Sequence, residues 1–291
     1  MTTISGMCRT GRNVRRVSDE VSDDRLAWIL ERLILKIKTD VLLDIAREAG
    51  AAIMEIYAGD FKIETKSDES PLTCADRASH EVIVRRLLGH FPEIPVLSEE
   101  GLDIDFAERR NWERFWLVDP LDGTKEFIKK NGEFTVNIAL IENGRVVFGV
   151  VYVPVRQTLY WGGAEQPAMS RVGDGEAHAI KVKQSVAVQG LTVVMSRSHP
   201  SPELEAYLQD LSVADAVSVG SSLKFCVVAE GKADLYPRLG PTMEWDVAAG
   251  HAVVEAAGGQ VTTIDGDILK YNKENLLNPY FIVRAQKGTT K

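Results

Sequence analysis

An apolar run, Phe115-Trp116-Leu117-Val118, leads straight into Asp119-Pro120-Leu121-Asp122-Gly123-Thr124, and this junction limits what the chain can become. The run reads as a buried strand, so its continuation delivers two carboxylates, three residues apart, to the edge of a core. Carboxylates crowded in this way repel each other unless a cation lies between them. Mg²⁺ meets that need with a few carboxylates, leaving its other positions to water and phosphate oxygens. By itself the junction is equally well explained as a strand closed by an Asp-Pro-Gly turn. What else the fold brings to the same place decides between them.

Apolar residues recur at helical spacing over 26–57, with Thr39-Asp40 a point where two helices would meet, and again over 75–89. A loop around Lys66–Pro71 separates these helices. Short strands are expected at 96–97 and 115–118, then a hairpin of 134–141 with 146–152 around Glu142-Asn143-Gly144, and a strand at 157–161. The polar, Gly-rich stretch 162–178 reads as a surface loop. Beyond it strands (191–196, 215–219, 233–236) alternate with helices (202–211, 221–230, 245–257). The last helix stops at Gly258-Gly259, and strands follow at 260–264 and 280–284. The pattern is α+β passing into α/β: a flexible or partly helical extension over 1–37, a mixed-sheet half over 38–185 and a βα-alternating half over 186–291.

The balance of 34 Lys and Arg against 42 Asp and Glu, a formal charge of −8, argues against binding nucleic acid through a basic surface. It leaves a phosphorylated small molecule open, because bound cations invert the local field. No run approaches the length of a transmembrane helix. Three separated cysteines, Cys8, Cys74 and Cys226, fit a reducing compartment and make no thiolate metal site.

Four further positions bear on the junction. Glu99 follows the strand Val96-Leu97, and strand ends are where sites in α/β folds gather. Asp76 opens a helix and Asp246 opens the last long one, positions that helix-terminus electrostatics and capping also explain. Thr124 offers a hydroxyl beside Asp122. Together Asp119, Asp122, Glu99 and Asp246 would form a carboxylate cage for two or three Mg²⁺ ions. Thr124 and Asp76 would form the pair that polarises an attacking water. The chemistry implied is hydrolysis of a phosphate ester.

Glu99-Glu100, the 119–124 run and Trp245-Asp246 resemble the three signatures of the inositol monophosphatase superfamily, Mg²⁺-dependent and Li⁺-inhibited phosphatases. Pro71–Asp76, Val96–Glu100, Leu121–Ile128, Asn131–Asn137 and Gly220–Cys226 are similar to its bacterial branch of CysQ-type 3′(2′),5′-bisphosphate nucleotidases. The resemblance implies a layered αβαβα sandwich. It implies that Glu99, Asp119, the Leu121 carbonyl, Asp122 and Asp246 hold metal, and that Asp76 and Thr124 activate water, with Glu99 also counted in the catalytic set. Gly123 and Thr124 would meet the scissile phosphate through backbone N–H groups. Ser196 and His199 would contact the nucleotide, and Gly220 and Lys224 the second phosphate.

The substrate so implied is adenosine 3′,5′-bisphosphate, cleaved to AMP and phosphate in sulfur metabolism, with 3′-phosphoadenylyl sulfate as a second candidate. The expected location is the cytoplasm, with peripheral association at the inner membrane left open. The rival within the fold is an inositol or sugar phosphatase. The rival outside it is a non-catalytic sensor of metal and nucleotide, against which an intact Asp76–Thr124 pair weighs.

Overall fold

The computed structural model describes residues 23–59, 63–65, 71–101, 103–184, 190–196 and 202–285. The chain divides into two compact units, 1–38 and 39–291, and apart from the start of the first helix everything below concerns the second. The expectations for residues 1–22, for the loop at 66–70 and for His199 lie outside the described residues.

Helix α1 (Asp23–Tyr57) runs through Thr39-Asp40 without the expected break. Neither residue is a helix breaker, and Leu42, Ile45, Ala49 and Ile53 keep one buried stripe. A short hairpin, β1 (Ile63–Thr65) with β2 (Pro71–Thr73), leads into α2 (Cys74–His90). Seven strands then form one sheet: β3 (Val96–Ser98), β4 (Arg114–Asp122), β5 (Thr135–Glu142), β6 (Arg145–Val153), β7 (Thr158–Gly163), β8 (Gln166–Val172) and β9 (His178–Ala179), in that spatial order. Helices α3 (Phe106–Arg109) and α4 (Thr124–Ile128) flank β4 in the chain.

The Gly-rich stretch expected as loop contains β8. Ala168 and Ser170 are buried while Pro167 and Val172 are exposed and Met169 and Arg171 part-buried, a half-buried pattern of mixed composition that is hard to tell from a loop in sequence.

The second sheet takes β10 (Leu191–Ser196), β11 (Val213–Val219), β12 (Leu235–Arg238), β13 (Gln260–Thr263) and β14 (Phe281–Arg284), ordered β11-β10-β12-β14-β13. Helices α5 (Pro202–Gln209), α6 (Leu223–Ala229) and α7 (Glu244–Ala256) connect its strands. Alternate strand residues face opposite layers. Trp116, Val118, Ile138, Leu140, Val150 and Trp161 pack with α1 and α2. Phe115, Leu117, Ala139, Ile141, Val151 and Tyr160 pack instead with α6, α7 and Tyr236, Phe281 and Val283 of the second sheet. The outer face of that sheet, Val193, Leu235 and Ile282, meets Tyr207 and Leu208 of α5. The layers are therefore α1–α2, seven strands, α6–α7, five strands, α5: the αβαβα sandwich expected from the sequence.

Close approach of α7 to the large sheet depends on a missing side chain. A Cβ on Gly149 of β6 would lie 2.4 Å from the Ala249 carbonyl oxygen and 2.8 Å from its Cα. That backbone cannot step aside without shifting the helix. Gly149→Ala is expected to cost about 2–3 kcal/mol, the usual scale of overpacking, and to lower the thermal midpoint by several degrees. A thermal melt at wild-type temperature would contradict this packing.

Candidate active site

Parallel pairing of β3 with β4 sets the first contact. Ser98 lies opposite Val118, and the Glu99 N–H donates to the Val118 carbonyl at 3.1 Å, so Glu99 emerges beside Asp119. The β3 end is held by the Ser98 hydroxyl, 2.8 Å from His80 Nδ1 on α2. On its other side β4 pairs with β5, with Asp119 opposite Asn137 and Asp122 opposite Thr135. Three residues of β4 thus span two of β5, which is a β-bulge. Residues three apart on a regular strand point to opposite faces; the extra residue returns Asp119 and Asp122 to the same face. Pro120 suits the bulge because it has no N–H to donate. Its carbonyl accepts from Ser79 Oγ at 2.7 Å, and the Leu121 N–H donates to Asp119 Oδ1 at 3.1 Å. Gly123 then turns the chain at φ +93° into α4, a conformation costly for any side chain but glycine's.

Asp246 arrives from the opposite layer in the first turn of α7, where its Oδ2 accepts the Met243 N–H at 2.9 Å. Glu244, fully buried two residues earlier in the same first turn, accepts the N–H groups of Asn272 and Lys273 at 2.7 and 3.0 Å. The start of α7 is therefore anchored to the loop before β14.

Oxygens of Glu99, Asp119 and Asp246 lie within 4.8 Å of one another. Asp122 adjoins them, and all four line one cavity of about 260 Å³ together with Leu121, Gly123, Thr124, Gly220 and Lys224. Asp76 is buried behind Asp119, close enough for its charge to act there, and does not line the cavity. Ser196 ends β10; its side chain lies outside the described residues.

Desolvation, then the charges of Glu99, Asp122, Asp246 and Asp76, hold the Asp119 carboxyl well above the usual range. Asp246 is raised for the same reasons, by burial first and then by Asp122 and Glu99. Asp122 rises from 3.8 to about 6 through burial, opposed by Lys224 and by the Ser222 N–H. The Lys224 ammonium, buried over the Tyr236 ring, is pushed down to about 8 by desolvation against the pull of Asp122. Buried carboxylates that repel one another and offer only oxygen fit a hard divalent cation.

A consequence can be measured in the absence of metal. The folded pKa of Asp122 lies above its unfolded one, so its stabilisation is full below about pH 4 and is lost as pH rises through about 6. Wild type compared with Asp122→Asn in a chelator is expected to lose relative stability between these values. Saturating Mg²⁺, which needs deprotonated ligands, is expected to reverse the trend. Urea midpoints at both ends of the window would check the sign; a chelated wild type that gains on the variant as pH rises contradicts it.

The cavity also holds residues that the sequence reading passed over. Arg238, Tyr236, Thr242, Glu126 and Ser221 line it, and so does the exposed Lys125. Arg238 ends the buried strand Leu235–Arg238, the same strand-end signal that singled out Glu99. Ser221 sits at φ +44° with its Oγ buried and without a partner among the described residues. No periodicity announces either of these.

The pattern of the inositol monophosphatase family matches residues 37–290 of the chain. The chain is 50% identical over 245 residues to the 3′(2′),5′-bisphosphate nucleotidase CysQ of Salmonella typhimurium, covering 82% of this chain and 96% of that protein. It superimposes on the crystal structure of CysQ from Bacteroides thetaiotaomicron, a bacterial member of the inositol monophosphatase family, with a TM-score of 0.76 and 45% identity over 87% of this chain and 99% of that one. An inositol monophosphatase from Anabaena superimposes with a TM-score of 0.67 at 26% identity, over 87% and 92% of the two chains.

Proposed function

The chain belongs to the inositol monophosphatase family, and we propose on that premise that it is a Mg²⁺-dependent 3′(2′),5′-bisphosphate nucleotidase, converting adenosine 3′,5′-bisphosphate to AMP and phosphate. The sulfonucleotide 3′-phosphoadenylyl sulfate is a second substrate on the same grounds. One observation carries the choice of substrate: a single cavity is lined by four metal-suited carboxylates and also by the cations Lys224 and Arg238. A one-phosphate sugar has no use for that second, cationic set. A molecule with two phosphates uses both. The CysQ proteins to which the chain is about half identical carry this activity in their name.

Glu99, Asp119, Asp122, Asp246 and the Leu121 carbonyl would hold the Mg²⁺. When bound, the metal supplies positive charge for the phosphoryl and leaving oxygens and acidifies the attacking water. Thr124 orients that water by accepting one of its protons in a hydrogen bond, and the carboxylate of Asp76 keeps the hydroxyl polarised. The backbone N–H groups of Gly123 and Thr124 meet the scissile phosphate as α4 begins; the helix has only five residues, so these local donors matter more than any dipole. Water attacks phosphorus in line, the ester bond to the nucleoside oxygen breaks, and that oxygen leaves with a proton as the hydroxyl of AMP. Lys224 and Arg238 hold the remaining phosphate by charge, with Arg238 offering the forked donor set that suits phosphate oxygens.

The test is phosphate release from adenosine 3′,5′-bisphosphate and from inositol 1-phosphate, with Mg²⁺, with chelator and with added Li⁺. Release that requires Mg²⁺, falls with Li⁺ and favours the nucleotide by more than about tenfold is expected, the discrimination a site with dedicated polar contacts readily exceeds. Preference for the inositol phosphate would overturn the substrate, and Mg²⁺-dependent binding without phosphate release would return the protein to the class of sensors.

A further inference from the structure

Two stretches singled out in the sequence, Asn131–Asn137 and the start of Gly220–Cys226, contain residues with no part in the chemistry above. The fold sets them face to face. Thr135 and Asn137 lie on β5 directly opposite Asp122 and Asp119, so each carboxylate has a polar cross-strand neighbour on its own face. The hydroxyl of Ser222 enters between the two. Its Oγ donates to Asn137 Oδ1 at 2.7 Å and lies 2.8 Å from Thr135 Oγ1. A serine has one hydroxyl proton, so Thr135 is the donor in the second bond. All three residues are at most 1% exposed. Two residues earlier, the Gly220 N–H donates to Glu133 Oε2 at 2.8 Å, and Glu133 is itself buried. A Cβ on Gly220 would lie 2.6 Å from Glu126 Cγ and 3.0 Å from the Glu133 carbonyl oxygen, so the turn is pressed against this strand as well as bonded to it.

Apolar side chains would fill the same space without the desolvation that buried hydroxyls incur. The cluster is not even self-sufficient, since Asn137 Nδ2 is buried with no acceptor among the described residues. What hydrogen bonds add over apolar packing is direction. Here they tie the strand that pairs the metal loop to the turn that precedes Lys224.

We propose that Glu133, Thr135, Asn137 and Ser222 form a latch that sets the spacing between the carboxylates of the metal loop and Lys224, and so determines preference for a bisphosphate over a monophosphate. The latch rests on the nucleotidase reading above. Its members are positioning residues: a ligand with two phosphates feels a spacing error of a fraction of an ångström, because both ends must seat at once. A ligand with one phosphate does not.

The experiment measures kcat/KM for adenosine 3′,5′-bisphosphate and for adenosine 3′-monophosphate at saturating Mg²⁺. The proteins are wild type, Thr135→Val, Glu133→Ala and the conservative Thr135→Ser and Glu133→Gln. The ratio of the two values is expected to fall about tenfold in Thr135→Val and Glu133→Ala, the effect of one buried hydrogen bond lost from a positioning contact. Thr135→Ser and Glu133→Gln, which keep a donor and an acceptor respectively, are expected to hold it. If both substrates fall together, or neither falls, the latch is overturned and these residues serve only the fold. If Thr135→Val does not fold, Glu133→Ala, at the outer end of the latch, carries the test with Glu133→Gln as its control. A wild-type enzyme without preference for the bisphosphate would instead sink the nucleotidase reading, which keeps the two failures distinct.

Discussion

Asp119→Asn is expected to lower kcat at least about a thousandfold, the scale on which removing one preorganised charge group acts in a catalytic centre, and to leave the fold standing. The amide keeps the size of the side chain and an oxygen for the Leu121 N–H, which Asp119 Oδ1 accepts at 3.1 Å. What it removes is charge. Four other carboxylates, Glu99, Asp122, Asp246 and Asp76, crowd this one and raise its pKa on top of burial. In chelator the variant should therefore melt at or slightly above the wild-type temperature, because a buried repulsion has been relieved. With Mg²⁺ the order should invert, since metal stabilises wild type in proportion to its affinity for the folded site. Phosphate release and paired melts check both halves. Near-wild-type turnover with an undiminished Mg²⁺ shift would remove Asp119 from the metal set.

Lys224→Met is expected to raise KM for adenosine 3′,5′-bisphosphate about a hundredfold, the usual consequence of truncating one partner of a buried charged contact, with a smaller fall in kcat. Methionine replaces the buried stem, so the cavity wall survives; the ammonium over Tyr236, 5.8 Å from the ring centroid, does not. The Mg²⁺ dependence separates this role from its alternative. Lys224 opposes the rise in Asp122's pKa, and its removal leaves the carboxylate end more negative. Half-saturation by Mg²⁺ should then stay level or fall while KM climbs. An unchanged KM with altered Mg²⁺ dependence would mean that Lys224 only balances the carboxylates.

Much of the architecture was legible before any coordinates. The apolar runs 115–118, 134–141 and 146–152 and the turn at Glu142-Asn143-Gly144 marked the strands, and the resemblance implied their place in a layered αβαβα sandwich. Gly258 ended α7 where a glycine stop predicts. The 162–178 stretch reads as loop because β8 is a half-buried strand whose Gln166, Pro167, Ser170 and Arg171 are residues that loops also use. The expected break at Thr39-Asp40 failed because neither residue breaks a helix: Thr39 is buried with its hydroxyl bonded to Gln166, Asp40 is exposed, and the apolar stripe continues from Leu42 to Ile53.

The carboxylates were legible as residues and expected to form one cage, but the geometry that brings them together was not legible. Asp119 and Asp122 stand three apart, and on a regular strand that spacing parts them. Only the bulge opposite Asn137 and Thr135, a property of two paired strands, puts both into one cavity. Arg238 and Ser221 escaped notice because each matters through what it faces, and no local pattern encodes that. The amino-acid sequence alone determined the candidate carboxylates and the elements that end at them, since side-chain type, apolar runs and helix or strand termini are short-range properties. Tertiary structure decided that Asp246 and Asp76 join the same charge cluster from different layers, that Lys224 and Arg238 line the same cavity, and that Ser222 bonds the strand beside the metal loop to the turn before Lys224. Those are distances across the sandwich between residues far apart in the chain, and they exist only once strand pairing and layer packing have closed it.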